Sequence, residues 1–123
     1  MADGLSVLNA DTALNNWTTS ALFAQLHTGD PGTAGTSNVS STTTREAVAW
    51  ATGASAGSIS ATTTPAWPSW AGTNNEVVTD VSFWSASTSG TFEFSITLSS
   101  SATMATTDTL SITPITITLP TAS

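Results

Sequence analysis

Between Thr91 and Ser99 the chain alternates without a break. Phe92, Phe94, Ile96 and Leu98 fall on one parity, and Thr91, Glu93, Ser95, Thr97 and Ser99 fall on the other. A period of two puts successive side chains on opposite faces of a pleated strand, a sorting no helix achieves. The segment therefore reads as a strand with one apolar and one hydroxyl face, and something must cover the apolar face. On this reading Phe94→Ala is expected to cost about 3–5 kcal/mol.

The rest of the chain repeats the theme in shorter pieces. Ala21–His27 places Leu22, Ala24 and Leu26 on one face and stops at Asp30-Pro31-Gly32, a strong turn signal. Residues 33–44 read as a surface loop, and Arg45–Trp50 resumes with Val48 and Trp50 on one side. A turn over Gly53–Gly57 leads into a short strand around Ile59. Pro65-Ala66-Trp67-Pro68-Ser69-Trp70 cannot be a central strand, because each proline removes a ladder donor. Val77, Val81 and Phe83 are assigned one face, with Asp80 and Ser82 opposite, and Val78 and Trp84 suggest partial cover on that second side. Leu110 and Ile112 are even-numbered while Ile115, Ile117 and Leu119 are odd, so the face is expected to flip at Thr113-Pro114 through a bulge or corner. One helix is expected, through Ala10, Ala13, Leu14 and Trp17, about two turns long and capped by Asn9 or Asp11.

Together these give an all-β fold: an antiparallel β-sandwich, Greek-key or jelly-roll-like, with a short N-terminal helix. Length fits a single domain over residues 1–123, with 1–19 as an N-terminal arm or short helix. Ser and Thr fill 45 of 123 positions, a bias that in other chains marks disorder. Here five Trp and four Phe sit inside alternating patterns, so the hydroxyls read as strand surface.

Charge excludes several functions. Arg45 is the sole base against eight acids, giving a net charge of −7. Nothing can neutralise a phosphate backbone or an anionic membrane surface, which argues against nucleic-acid and membrane partners. Cysteine is absent, and Met1-Ala2-Asp3-Gly4 lacks the basic and apolar regions of an export signal. A surface of extracellular character without such a signal fits a virion protein, made in the host cytoplasm and released at lysis.

Catalytic groups are scarce. With no Cys, any nucleophile–base pair must use His27, the only histidine, which reads as a structural residue at a strand end. Gly53-Ala54-Ser55-Ala56-Gly57 has the letters of a nucleophile elbow but lies in a small-residue turn. Scattered acids and one His make no zinc or calcium site, and Asp30 is expected to bond its own turn backbone. The expectation is therefore no enzyme, no metal and no cofactor. Arg45, Trp67 and Trp70 are the candidate protein–protein interface residues. Arg45 is expected to pair with an acid, within the chain or across a subunit contact. The Trp67–Trp70 loop is expected to cap the core, dock a neighbour or stack on sugar rings.

Leu26-His27-Thr28-Gly29-Asp30-Pro31-Gly32-Thr33, then Gly35 and Asn38-Val39, resembles the strand-then-turn signature of a family of small virion proteins common in phages of actinobacteria. Arg45-Glu46-Ala47-Val48-Ala49-Trp50 is similar to its second motif. Val81-Ser82-Phe83-Trp84-Ser85-Ala86 with Gly90-Thr91-Phe92 is similar to its third, and Asp108-Thr109-Leu110 and Ile115-Thr116-Ile117 also fit. The likeness runs from about residue 10 to 119 and departs at Thr43-Thr44 and at Pro65–Trp70. It implies a virion structural protein on the outer surface of the particle. The leading expectation is a capsid decoration protein bound to the major capsid protein and to other copies of itself. A minor tail or tail-fibre-associated protein is the alternative, and a carbohydrate-binding module contacting host glycan through Trp67 and Trp70 is the second.

Overall fold

The computed structural model describes residues 4–18, 22–51, 53–112 and 115–122. The expected change of face at Thr113-Pro114, the start of the first strand at Ala21 and the first three residues of the arm lie outside them. The fold is mostly strand in antiparallel sheets with one short N-terminal helix, sandwich-like and without a closed barrel among the described residues.

Helix α1 (Val7–Trp17) is three turns long, not two. Its cap is Ser6, whose Oγ accepts from the Asn9 amide at 3.2 Å and so satisfies one of the free N–H groups of the first turn. The expected cap Asp11 is used otherwise: its carboxylate accepts from the Gly57 amide at 2.7 Å, and Asn15 does the same for Ala54. These two bonds hold the 53–57 turn against the helix, whose buried face is Ala10 and Leu14.

The main sheet has the order β2-β1-β5-β6, built from β1 (Leu22–His27), β2 (Glu46–Val48), β5 (Glu76–Trp84) and β6 (Phe92–Met104). Two short ladders face it across the core: β3 (Ser58–Ser60) with β8 (Thr116–Thr118), and β4 (Ala66–Trp67) with β7 (Leu110–Ser111). From the sheet come Leu22, Ala24, Leu26, Val48, Val78, Val81 and Phe83, and from the opposite wall Ile59, Trp67, Leu110, Ile112 and Ile115, all buried. Trp50 packs against Phe83 and Phe94, the ring centroids 5.9 and 6.4 Å away. Its indole N–H is buried and has no hydrogen-bond partner among the described residues.

Two irregularities in the β5–β6 ladder change which residues face inward. Val78 pairs with Ala102 and Asp80 with Thr97, so Thr79 alone stands opposite residues 98–101. The interruption turns Val78 inward beside Val81 and Phe83, whereas Val77, expected inside, is 42% exposed. Next, Phe83 pairs with Phe94 but Trp84 with Phe92, leaving Glu93 as the extra residue of a bulge. The apolar row of β6 therefore splits. Phe94 stacks on Phe83 at 4.7 Å on the core side, while Phe92 meets Trp84 at 5.5 Å on the far side. Phe94, Ile96 and Leu98 are only partly buried, unlike Phe83, which is fully enclosed. The cost first expected at Phe94 therefore belongs to Phe83. Phe83→Ala should lower the unfolding free energy by about 3–5 kcal/mol and Phe94→Ala by about half as much, measured by urea denaturation.

Candidate functional site

Strand β1 is buried on both faces, which a two-layer sandwich does not require. Leu22, Ala24 and Leu26 face the core, yet Gln25 and His27 on the opposite parity are also buried. Across the ladder Gln25 pairs with Ser82 and His27 with Asp80, both buried too. A row of polar side chains thus lies under cover on the side of the sheet away from the core.

The cover is the loop between β1 and β2. Its base is the Asp30-Pro31-Gly32 turn, where the Asp30 carboxylate accepts from the Gly32 amide at 2.8 Å, the turn-forming role the sequence suggested. Asn38 donates to the Asp30 carbonyl at 2.9 Å, and the Thr28 amide donates to the Asn38 carbonyl at 2.8 Å. Further along, Glu76 accepts from the Ser40 hydroxyl and from the Ser41 amide, tying the loop to the start of β5. Gly35 brings the backbone directly onto the Phe92 ring: a Cβ there would lie 2.5 Å from a ring carbon, and its φ of +71° also favours glycine.

Under this loop the hydrogen-bond directions are fixed. His27 Nδ1 lies 2.8 Å from the Ser37 carbonyl, which can only accept, so Nδ1 carries the proton. Nε2 lies 2.7 Å from the Ser82 hydroxyl. The Trp84 indole can only donate, and it points at the same Ser82 oxygen at 2.7 Å. The chain of donors therefore runs from Trp84 to Ser82 to His27 to the Ser37 carbonyl, and it needs a neutral imidazole. Burial pushes the His27 pKa below its usual 6.5, partly opposed by the Ser37 carbonyl and by the charge of Asp80. Asp80 itself accepts from the Thr79 and Thr97 hydroxyls at 2.6 and 2.9 Å.

Arg45 closes the other end of this face. Its guanidinium lies 4.1 Å from the Trp84 ring centroid and donates to Gln25 Oε1 and to the carbonyls of Ala86 and Ser89. Among the described residues of the chain, the expected carboxylate partner is replaced by these carbonyls, an amide and an indole face. The physical reason is position: the hairpin joining β5 to β6 turns its carbonyls toward the sole cation, which staples the hairpin to β1. Burial also lowers the guanidinium pKa, with no effect on its charge at neutral pH.

Trp67 and Trp70 do not form an exposed platform. They are 3% and 2% exposed, and their indoles donate to the carbonyls of Thr44 and Thr73. Of the three expected roles for that loop, core capping is the one the geometry provides, and stacking on a sugar ring is ruled out at these positions. Arg45, Trp67 and Trp70 thus all hold the molecule together; the two indoles present little contact surface, and Arg45 is half-buried. Sequence reading missed Ser82 and Gln25 as partners of His27 and Arg45. Their signal was polar residues on the second parity of two strands with large neighbours.

The Ser82–His27 pair has the spacing of a nucleophile and its base. However, both residues are fully buried, Ser82 already accepts from Trp84, and Nδ1 faces a carbonyl where a carboxylate would stand. The accessible feature lies elsewhere, at β6. This strand ends the sheet order, so its outer edge has no ladder partner among the described residues, and a groove of about 470 Å³ lined by Ile96, Leu98, Ala102, Leu110, Ile112 and Ile115 opens beside it.

The family model described as Podophage GP4 fiber I protein gp80 matches residues 6–120, the helix, both walls of the core and the covering loop included. The chain belongs to the gp80 fiber family. It is therefore a phage structural protein associated with the virion, as composition and the motif resemblance suggested. The gp80 family is a podophage fiber family, so the match does not extend to the actinobacterial decoration family expected from the motifs. No curated protein matches the chain. Of the three quoted motifs, His27, Arg45, Ser82 and Trp84 converge in this gp80 fold on the covered face of one sheet, while Leu26, Val48, Val81 and Phe83 face the core.

The neutral imidazole sets a pH dependence. Unfolded, His27 takes up a proton below about pH 6.5; folded, it resists protonation to a lower pH. The unfolded state then binds more protons, so the His27 contribution is complete above that value and declines as pH falls through the interval below it. The urea midpoint should begin to drop as pH falls below about 6.5, above the main carboxylate range, and His27→Gln should flatten that drop while lowering stability at pH 7.

Proposed function

We propose that this chain is a non-enzymatic structural module of the phage tail fibre. The observation that carries the reading is the extent of the family match: residues 6–120 take in the whole described architecture, so the fiber description applies to the fold itself and not to a shared fragment. The geometry is compatible with it. The pair most suggestive of catalysis is sealed beneath the loop, and the motif residues spend their hydrogen bonds on one another. The work of the module lies in the contacts its outer surface makes with neighbouring fibre chains.

The capsid decoration role, with the major capsid protein as partner, is the rival address, and no structural feature favours it. Particles lacking this chain should keep DNA-filled heads yet lose adsorption, and cryo-EM of intact particles should place its density on the tail. Density on the head lattice, or null particles that adsorb normally but lose DNA, would contradict the proposal.

A further inference from the structure

The longest strand of the protein is also the least protected. β6 runs for 13 residues at one side of its sheet, and its other neighbour position is empty among the described residues. The opposite edge, β2, has three residues and carries Glu46, and the facing ladders are two or three residues long. Soluble proteins usually blunt a long edge with lysine, proline or inward charges. β6 has no lysine and no proline, and its single charge is Glu93 at the bulge.

The sequence of that edge is complementary to itself. Placed antiparallel about a two-fold axis at Ile96, Phe94 of one copy faces Leu98 of the other and Ile96 faces Ile96. These residues are partly buried in the single chain and border the 470 Å³ groove or the core. On the exposed side Ser95 faces Thr97, a hydroxyl pair of the kind that stabilises cross-strand contacts. The one carboxylate, Glu93, falls opposite Ser99 and not opposite its own copy, so a chain of net charge −7 meets itself here without like charges in register. Moving the axis to Ser95 or Thr97 leaves Leu98 or Phe94 without an apolar partner, since Phe92 is turned to the far side and residue 100 is a serine. An axis between two residues sets apolar side chains opposite hydroxyls.

We propose that β6 pairs edge to edge with β6 of a second copy of this chain, antiparallel about Ile96, joining two four-stranded sheets into one of eight strands. The pairing supplies partners for the open edge and covers the apolar row. It goes beyond the fibre reading and holds whether the protein sits on tail or head.

Sedimentation of the full chain should show a reversible dimer of twice the 12.4 kDa chain mass. Ser99 is exposed, so charges placed there test the register without burdening the fold. Ser99→Lys, set opposite Glu93 of the other copy, should tighten the dimer about threefold to tenfold, and Ser99→Glu should weaken it by a similar factor. The chain has no native cysteine, so Ile96→Cys under mild oxidation should link two copies, whereas Thr43→Cys in the exposed loop should not. A strict monomer, a trimer, or a dimer indifferent to both Ser99 substitutions would overturn the proposal.

Discussion

Everything on the outer face of the main sheet depends on one requirement, that the buried polar row be fully hydrogen-bonded. Gln25, His27, Asp80 and Ser82 are all nearly inaccessible, and an unmatched donor or acceptor at any of them would cost about 1–3 kcal/mol. The chain meets the requirement with a loop and a hairpin that contribute backbone carbonyls and one guanidinium. That explains why the 28–44 segment, poor in apolar residues, nevertheless holds a fixed path. Hydrogen bonds to Asp30, Asn38, His27 and Glu76 place it, and Gly35 lets it rest on Phe92.

The sheet is thus asymmetric in a way that bears on function. Along β1 both faces are closed, one by the aliphatic core and one by the loop. Toward β6 the enclosure loosens: Phe94, Ile96 and Leu98 are half-covered and the outermost backbone edge is open. In a fibre-family protein with one base and no cysteine, an open strand edge is a more natural point of assembly than a charged patch. Such edges are normally guarded because they recruit other strands. Here the guards are missing along the stretch where the side chains match their own reversal.

Much of this was legible from residue order. The period-two run at β6, the turn at Asp30-Pro31-Gly32 and the edge position of Pro65–Trp70 followed from side-chain alternation and from what proline cannot donate. The inward residues of β5 did not, since Thr79 stands opposite four residues of β6 and no local pattern announces an irregularity that arises between two strands. Helix capping by Ser6 was missed because Asp11 and Asn9 are equally good caps in isolation, and only the neighbouring 53–57 turn diverts Asp11. The site fared similarly. Arg45 stood out as the only base, but a count of acids suggests a carboxylate partner, while the partners found are carbonyls whose orientation depends on the hairpin. Prolines flanking Trp67 and Trp70 marked a rigid loop that could cap the core, dock a neighbour or stack on sugar, and only tertiary packing, which buries both indoles, distinguishes capping.

The central claim is that one neutral imidazole, held between Ser82 and the Ser37 carbonyl, fixes the covering loop to the sheet. Nitrogen-15 NMR of the His27 ring tests it most directly. The structure predicts the Nδ1–H tautomer, with Nε2 unprotonated and accepting from Ser82, and protonation at a pH below that of a free histidine. An Nε2–H tautomer, or a ring that protonates at or above the free-histidine pH, would contradict the account.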